Sequence, residues 1–342
     1  MSQAAPVVAF GEMLLRLKAP GASRLLQDPL LEATFGGAEF NVLASLARFG
    51  TATELVTVLP EGPLGSAALE EVRRFNVGTR YVRRQEGRVG LYFLEAGADL
   101  RPGRVVYDRA GSAFARLDRE WFDWEAILSG ARWLHITGIT AALGAHPWAS
   151  LVTAVRTARR LGVPVSLDVN SRPSLWAASG RSAREALRNV LDGATVIFAG
   201  LDDRHVCLED SQAQGLDSSD IAAFLDRLLK IYPQAQTAVS TVRRAASATE
   251  HEVSAIAHVR SHGAVEAVTL KLRNVVDRVG AGDAFVAGYL HCALKGTSPK
   301  AALDFAVAAG ALKHTIPGDI NRVCLEEVEA ASSGCDGGRL LR

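Results

Sequence analysis

The nine residues Asp277-Arg278-Val279-Gly280-Ala281-Gly282-Asp283-Ala284-Phe285 set a carboxylate beside a run of small residues, the materials of a phosphate-handling turn. Apolar side chains alternate through Ala267 to Leu272, which predicts a strand; Phe285, Val286, Tyr289, Leu290, Ala293 and Leu294 recur at helical spacing. The turn is therefore expected at a helix N-terminus. There the free N–H groups of Ala281, Gly282 and Asp283 would point at one spot, and the helix dipole makes that spot favourable for an anion such as phosphate. Glycine at 280 and 282 permits a tight backbone path and the close approach of a ligand. An ordinary glycine turn with an aspartate near the helix start, stabilising by roughly 0.5–2 kcal/mol, accounts for the same letters. Taken alone, the stretch leans to that ordinary reading. A substrate site elsewhere in the chain decides between them.

Two further clusters carry polar groups suited to binding. Gly36, Gly37 and Ala38 precede a helix with Val42, Leu43, Leu46 and Phe49 on its apolar face; the adjacent glycines let the backbone approach a ligand, and Asn41 can offer its amide to a hydroxyl. A glycine loop with a polar first-turn residue explains this equally well. The buried-type strand Val163 to Val169 carries Asp168, Asn170 and Arg172 at its carboxyl end, where ligands bind in open α/β sheets. Arg172 is suited to gripping a carboxylate or phosphate through paired hydrogen bonds. A solvated loop is the ordinary alternative.

The elements that must position these groups follow from the patterning. Val7 to Gly11 reads as the first strand of a parallel sheet, and Leu55 to Leu59, Trp133 to Ile136, Val163 to Val169, Thr195 to Ala199 and Thr237 to Ser240 as later ones. Helical periods lie between them. The alternation breaks twice. Glu12 to Thr34 is interrupted by Pro20 and Pro29, and Tyr81 to Arg116 shows strand-like alternation with no helix, so a small separate sheet covering the main one is expected. Residues 1–11, 36–80 and 117–330 are assigned to the main domain, 12–35 and 81–116 to the β lid, and 331–342 to a disordered tail. Ser254 to Val276 reads as an antiparallel edge hairpin, and Pro299 to Lys313 as an Ala-rich helix.

At 342 residues the chain can bury a sizeable core, and 38 basic against 37 acidic residues leave a formal charge of +1, which gives no reason to expect nucleic acid or membrane as partner. The residues before Val7 lack a basic region and a cleavage pattern, so a cytoplasmic location is expected. Cys207, Cys292, Cys324 and Cys335 lie far apart and read as free thiols, and the spacing of His251, His258 and His262 matches no metal motif.

Gly36-Gly37-Ala38 with Asn41 near the N-terminus, and Gly280-Ala281-Gly282-Asp283 near the C-terminus, together resemble the two signature regions of the ribokinase-like, or PfkB, sugar kinases, in the right order and separation. The resemblance runs from about Val7 to Glu329. It looks closest to the 2-keto-3-deoxygluconate kinases through Gly90-Leu91-Tyr92, Tyr107 with Arg109, Leu134 to Thr140, and Asp168-Val169-Asn170-Ser171-Arg172. It implies an α/β three-layer sandwich with a mostly parallel central sheet and a small β-sheet lid, with a sugar between lid and sheet and ATP near the C-terminal helices. It also implies that Gly36, Gly37, Asn41, Tyr92, Tyr107, Arg109, Arg172 and Asp319 bind the sugar, the last two arginines facing a carboxylate. Asp283 is implied as the base, with Gly280, Ala281 and Gly282 stabilising the transferring phosphoryl group. Magnesium on ATP and a monovalent cation are the implied cofactors, and a homo-oligomer formed through the lid the implied assembly.

Two segments depart from the family pattern. Where many relatives carry Asn-x-x-Glu, this chain has Gly200 and Asp203, leaving Asp203 as a contact to nucleotide or, through water, to magnesium. Where relatives carry a lysine and glycine-rich segment, it has Thr241 to Ala245, with Arg243 as the substitute phosphate contact. The expected activity is ATP-dependent phosphorylation of the terminal hydroxyl of a small acidic sugar, 2-keto-3-deoxygluconate first among candidates. The alternatives are another ketose or sugar acid, such as fructose or deoxy-keto-galactonate, or a weakly active sugar-binding regulator.

Overall fold

The computed structural model describes residues 5–208 and 218–334; the tail from 335 onward and Cys335 lie outside the described residues. Fourteen strands are described: β1 Val7–Phe10, β2 Leu14–Lys18, β3 Glu32–Gly36, β4 Thr53–Pro60, β5 Gly78–Gln85, β6 Gly90–Glu95, β7 Arg104–Asp108, β8 Trp133–Thr137, β9 Val165–Asp168, β10 Val196–Phe198, β11 Thr237–Ala245, β12 His251–Val259, β13 Gly263–Glu266 and β14 Leu270–Leu272. They form two sheets. The larger runs β13-β12-β11-β10-β9-β8-β1-β4-β5, with β14 also on β12. All its pairings from β11 to β5 are parallel, and β12 to β14 pair antiparallel at one edge.

Strand β1 explains the layering. Its four residues Val7, Val8, Ala9 and Phe10 are all buried, as a strand covered on both faces must be. Because side chains alternate, Val8 and Phe10 join one apolar cluster with the Ala145–Leu161, Ala183–Leu191 and Ser218–Ile231 helices. Val7 and Ala9 join a second, with the Ala38–Arg48, Ala281–Lys295 and Pro299–Lys313 helices. The sheet is thus the middle of three layers.

The smaller sheet has the order β3-β2-β6-β7, with β2 and β6 parallel and the outer pairs antiparallel. It is built from the two stretches in which the sequence pattern broke. Leu14, Tyr92 and Leu94 make its own small core, and Val279 of the glycine turn packs against them. Residues 81–85, expected in the lid, instead continue β5 in the main sheet, where β5 pairs parallel with β4; a half-buried strand at a sheet edge alternates much as a lid strand does.

The expected strand at Ala267–Leu272 shrinks to Leu270–Leu272 on β12, and a loop of seven residues separates it from Gly280. The turn is therefore held by tertiary contacts rather than by a strand feeding directly into the helix. His251 and His258 lie on β12 and His262 in the turn after it, and among the described residues no three His, Cys, Asp or Glu side chains gather as metal ligands. No helix of the described residues is long and apolar enough to cross a membrane.

Candidate active site

Lid and main sheet enclose a cavity of about 530 Å³ at the carboxyl ends of the parallel strands, where the sheet topology places ligands. Of the residues singled out from sequence, Gly37, Asn41, Tyr92, Tyr107, Arg109, Arg172, Arg243, Gly280, Ala281, Gly282, Asp283 and Asp319 line it. Gly36 and Asp203 do not.

At the floor, the Ala281–Lys295 helix begins with Gly280 as its N-cap at φ 80°, and a Cβ there would meet the Asp319 carbonyl oxygen at 1.8 Å. Only glycine fits both demands. Gly282 is different: a Cβ there would touch nothing in the protein, so the reason for a small residue lies outside the protein's own packing. The Ala281 N–H, expected to be free, donates to the Arg278 carbonyl at 3.2 Å because the turn closes on itself. The first helical bond runs from Ala284 to Gly280, which leaves the N–H groups of Gly282 and Asp283 for an anion.

Asp283 follows in the first turn of that helix. Asn41 Nδ2, from the Ala38–Arg48 helix, donates to Asp283 Oδ2 at 2.7 Å. The amide expected to meet a sugar hydroxyl thus gives one of its two N–H groups to the carboxylate, while the buried Asn41 Oδ1 has no partner among the described residues. Burial pushes the Asp283 pKa up to about 7; Asn41 opposes this, and the charges of Asp319 and Glu39 add to it. A carboxylate poised there can both lose and accept a proton near neutral pH. Burial likewise pushes Asp168 up to about 8, aided by Asp203 and Asp283.

The sugar-side residues divide into two groups. Arg109 Nε donates to Glu12 Oε2 at 2.8 Å, and Ser112 Oγ donates to the other oxygen of that carboxylate. Tyr92 and Tyr107 face each other across β6 and β7 with ring centroids 5.9 Å apart. The Tyr92 hydroxyl lies 2.6 Å from each oxygen of Asp319, and Arg16 Nη1 donates to Asp319 at 2.6 Å. Arg16, only 1% exposed, also donates to Asp277, whose carboxylate accepts from the Val279 and Gly318 N–H groups at 3.1 Å. This network ties the lid to the glycine turn. Arg172, by contrast, is exposed to the cavity and makes no ion pair among the described residues, yet its charge is felt at Asp168 and Asp283.

Asp203 is spent on architecture. Its two oxygens accept the N–H groups of Ser171 and Gly200 at 2.9 and 2.8 Å, fastening two loops. A shortened carboxylate three residues past a glycine caps its own turn, which removes it from the cavity. Arg243 does line the cavity, and partial burial, together with the neighbouring charge of Arg278, lowers its pKa. Two such guanidinium groups, both exposed and without an ion pair among the described residues, suit a polyphosphate. Arg278 lies within the opening nine residues and was readable there; Arg16, Glu12 and Glu39 were not, because their roles depend on partners far away in the chain.

A family profile decides the affiliation: that of the pfkB family carbohydrate kinases matches residues 4–326. The chain belongs to this family. The kinase is 33% identical over 338 residues to a 2-dehydro-3-deoxygalactonokinase of Haloferax volcanii, covering 98% of both chains. It is 29% identical to a 2-dehydro-3-deoxygluconokinase of Thermoproteus tenax, over 92% of this chain and 89% of that one. The crystal structure of 2-dehydro-3-deoxygluconokinase from Thermotoga maritima superposes with a TM-score of 0.91 at 39% identity, covering 96% of this chain and all of that one. The sandwich and its lid are thus the ribokinase-like fold that the two glycine signatures implied.

Proposed function

We propose that this pfkB-family kinase phosphorylates the terminal hydroxyl of a 2-keto-3-deoxy sugar acid with ATP, the gluconate and galactonate forms being its substrates. The observation that carries the acid is Arg172, an uncompensated cation facing the cavity that holds Asp283. The names of its relatives point the same way.

In this reading the sugar lies under Tyr107 with its carboxylate on Arg172 and its terminal hydroxyl against Asp283. The hydroxyl oxygen forms the new bond to the γ-phosphorus, the bond to the ADP oxygen breaks, and the hydroxyl proton passes to Asp283. The N–H groups of Gly282 and Asp283 meet the charge that builds on the transferring group, and Arg243 and Arg278 hold the remaining phosphates. Magnesium on the nucleotide would supply further charge neutralisation. Asp168, which lines the cavity where Asp203 does not, is the carboxylate this chain would turn toward that ion. With Arg109 committed to Glu12, the acid is gripped by one free arginine rather than two.

Strand β7 is the free edge of the lid sheet and exposed along its whole length, with Val105 and Tyr107 on the cavity side and Val106 between them on the other face, which supports pairing of lids between two copies of the chain. The reading has the enzyme act in the cytoplasm, where ATP is available and thiols stay reduced. ADP release measured across a panel of sugars and sugar acids tests the assignment. Turnover of 2-keto-3-deoxy acids well above neutral ketoses such as fructose is expected; equal or better turnover of the neutral sugars overturns it.

A further inference from the structure

Lys313, the last residue of the Pro299–Lys313 helix, is fully buried beneath the glycine turn, with 0% of its surface exposed. An ammonium in such a place must be given oxygens or lose its proton. Its Nζ donates to the main-chain carbonyls of Asp277 at 3.2 Å and Ile316 at 3.0 Å. These belong to the two loops that build the phosphate site. Asp277 opens the stretch that ends in the helix N-terminus, and Ile316 precedes Gly318 and Asp319, whose backbone packs against Gly280. The Val276 and Asp277 N–H groups donate to the His314 carbonyl at 2.8 and 3.1 Å, so the same loop ends are stitched a second time.

The charge on Lys313 is supported by its surroundings. Burial lowers its pKa to about 8, with Asp277 and Asp319 opposing the fall and Arg16 adding to it. It therefore remains largely an ammonium at neutral pH. Without it, the Asp277 and Ile316 carbonyls would be left pointing at each other's partial negative charge in a site closed to water, at a cost that loosens the turn.

The resemblance to sugar kinases implied a monovalent cation as cofactor. The residues present do not fit one between the Asp277 and Ile316 carbonyls, because a lysine head of similar size and the same charge already lies there. We propose that Lys313 is a positioning residue for phosphoryl transfer, its ammonium acting as a built-in monovalent cation that sets the glycine turn, so that the enzyme needs no added potassium or sodium. This rests on the kinase reading, and it makes the ion-binding loop of the turn independent of the salt around it.

The test uses the full chain with ATP and its sugar acid in tetramethylammonium buffer, with and without potassium. The wild type is expected to turn over at the same rate and melt at the same temperature in both. Turnover or melting that depends on potassium overturns the proposal, whereas no turnover in either salt overturns the kinase reading instead. Lys313→Met removes the charge and, being one atom shorter, vacates the place of the ammonium while keeping the rest of the side chain's bulk. Its kcat is expected to fall by about 10²-fold with the sugar KM little changed, since a small displacement of catalytic groups has effects of that order. Potassium, ammonium or methylammonium should then recover part of the rate and raise its melting temperature, as a ligand that binds the folded state must. A folded Lys313→Met enzyme with full kcat, or one slowed but indifferent to all three cations, returns Lys313 to a packing role and overturns the proposal. Should the variant fail to fold in any salt, the wild-type comparison still decides.

Discussion

The arginines around the cavity fall into two kinds. Arg16 and Arg109 are buried where lid meets sheet and are matched by carboxylates of the protein, Asp277 and Asp319 for one and Glu12 for the other. Arg172, Arg243 and Arg278 line the same cavity, stand exposed, and have no such match among the described residues. The difference separates architecture from recognition. A buried guanidinium is tolerated only when its charge is answered from within, whereas an exposed one at a cavity wall can wait for an anion to arrive. The three unmatched cations surround the glycine turn and Asp283, where a sugar carboxylate and nucleotide phosphates would bring the missing charge.

The largest effect is expected where the unmatched cations converge. Asp283→Asn should lower kcat by roughly 10²–10⁴-fold, the usual range for losing a general base, while calorimetry finds sugar binding nearly unchanged. Comparable turnover in that variant would remove the reacting centre from between the arginines and leave the contrast without a purpose.

The next test sets one arginine of each kind against the other in urea denaturation. Arg16→Met leaves Asp277 and Asp319 buried without their cation and should cost about 3–5 kcal/mol of stability. Arg243→Ala should change stability by no more than about 0.5 kcal/mol, as surface substitutions do, and instead raise the KM for ATP. If both variants lose stability alike, the division into two kinds fails.

Arg172→Ala refines the recognition side. Losing one charge-assisted hydrogen bond, of about 1.5–3 kcal/mol, should weaken a sugar acid by roughly 10–100-fold and a neutral ketose hardly at all. Equal losses for acid and neutral sugars would break the link between Arg172 and a carboxylate.

The smallest effect is one of pH. With its pKa raised to about 7, Asp283 carries a proton below that value and cannot accept another. The rate constant kcat/KM should therefore fall as pH drops through 7 and level off above it, a limb that a pH–rate profile would detect. An acid limb near the ordinary carboxylate range would mean that ligand or solvent relieves the burial.

Much of the cavity lining was legible along the chain because its glycines and its acidic residue Asp283 lie within short stretches. The nine residues from Asp277 hold the helix cap, Asp283 and Arg278 together, and Gly37 and Asn41 open one helix; local patterning suffices for such groups. Arg172 was readable from its place at the end of a buried strand. Other residues have partners that the sequence did not reveal. Asp203 looked available, but backbone N–H groups of two loops claimed both oxygens. Arg109 looked like a second grip on the substrate, but Glu12, nearly a hundred residues away in the chain, took it.

By itself the sequence determined the alternation of strands and helices, the two breaks that make the lid, and which short stretches carry acid, amide and glycine. These are local: periodicity sets which face is buried, and backbone freedom sets where a turn can form. Only the tertiary structure decided which charges are spent inside and which are left open. Arg16 with Asp277 and Asp319 joins residues from opposite ends of the chain, and Lys313 reaches back 36 residues to the Asp277 carbonyl. A charge acquires its role from the groups that surround it after folding, and no spacing in the chain records them.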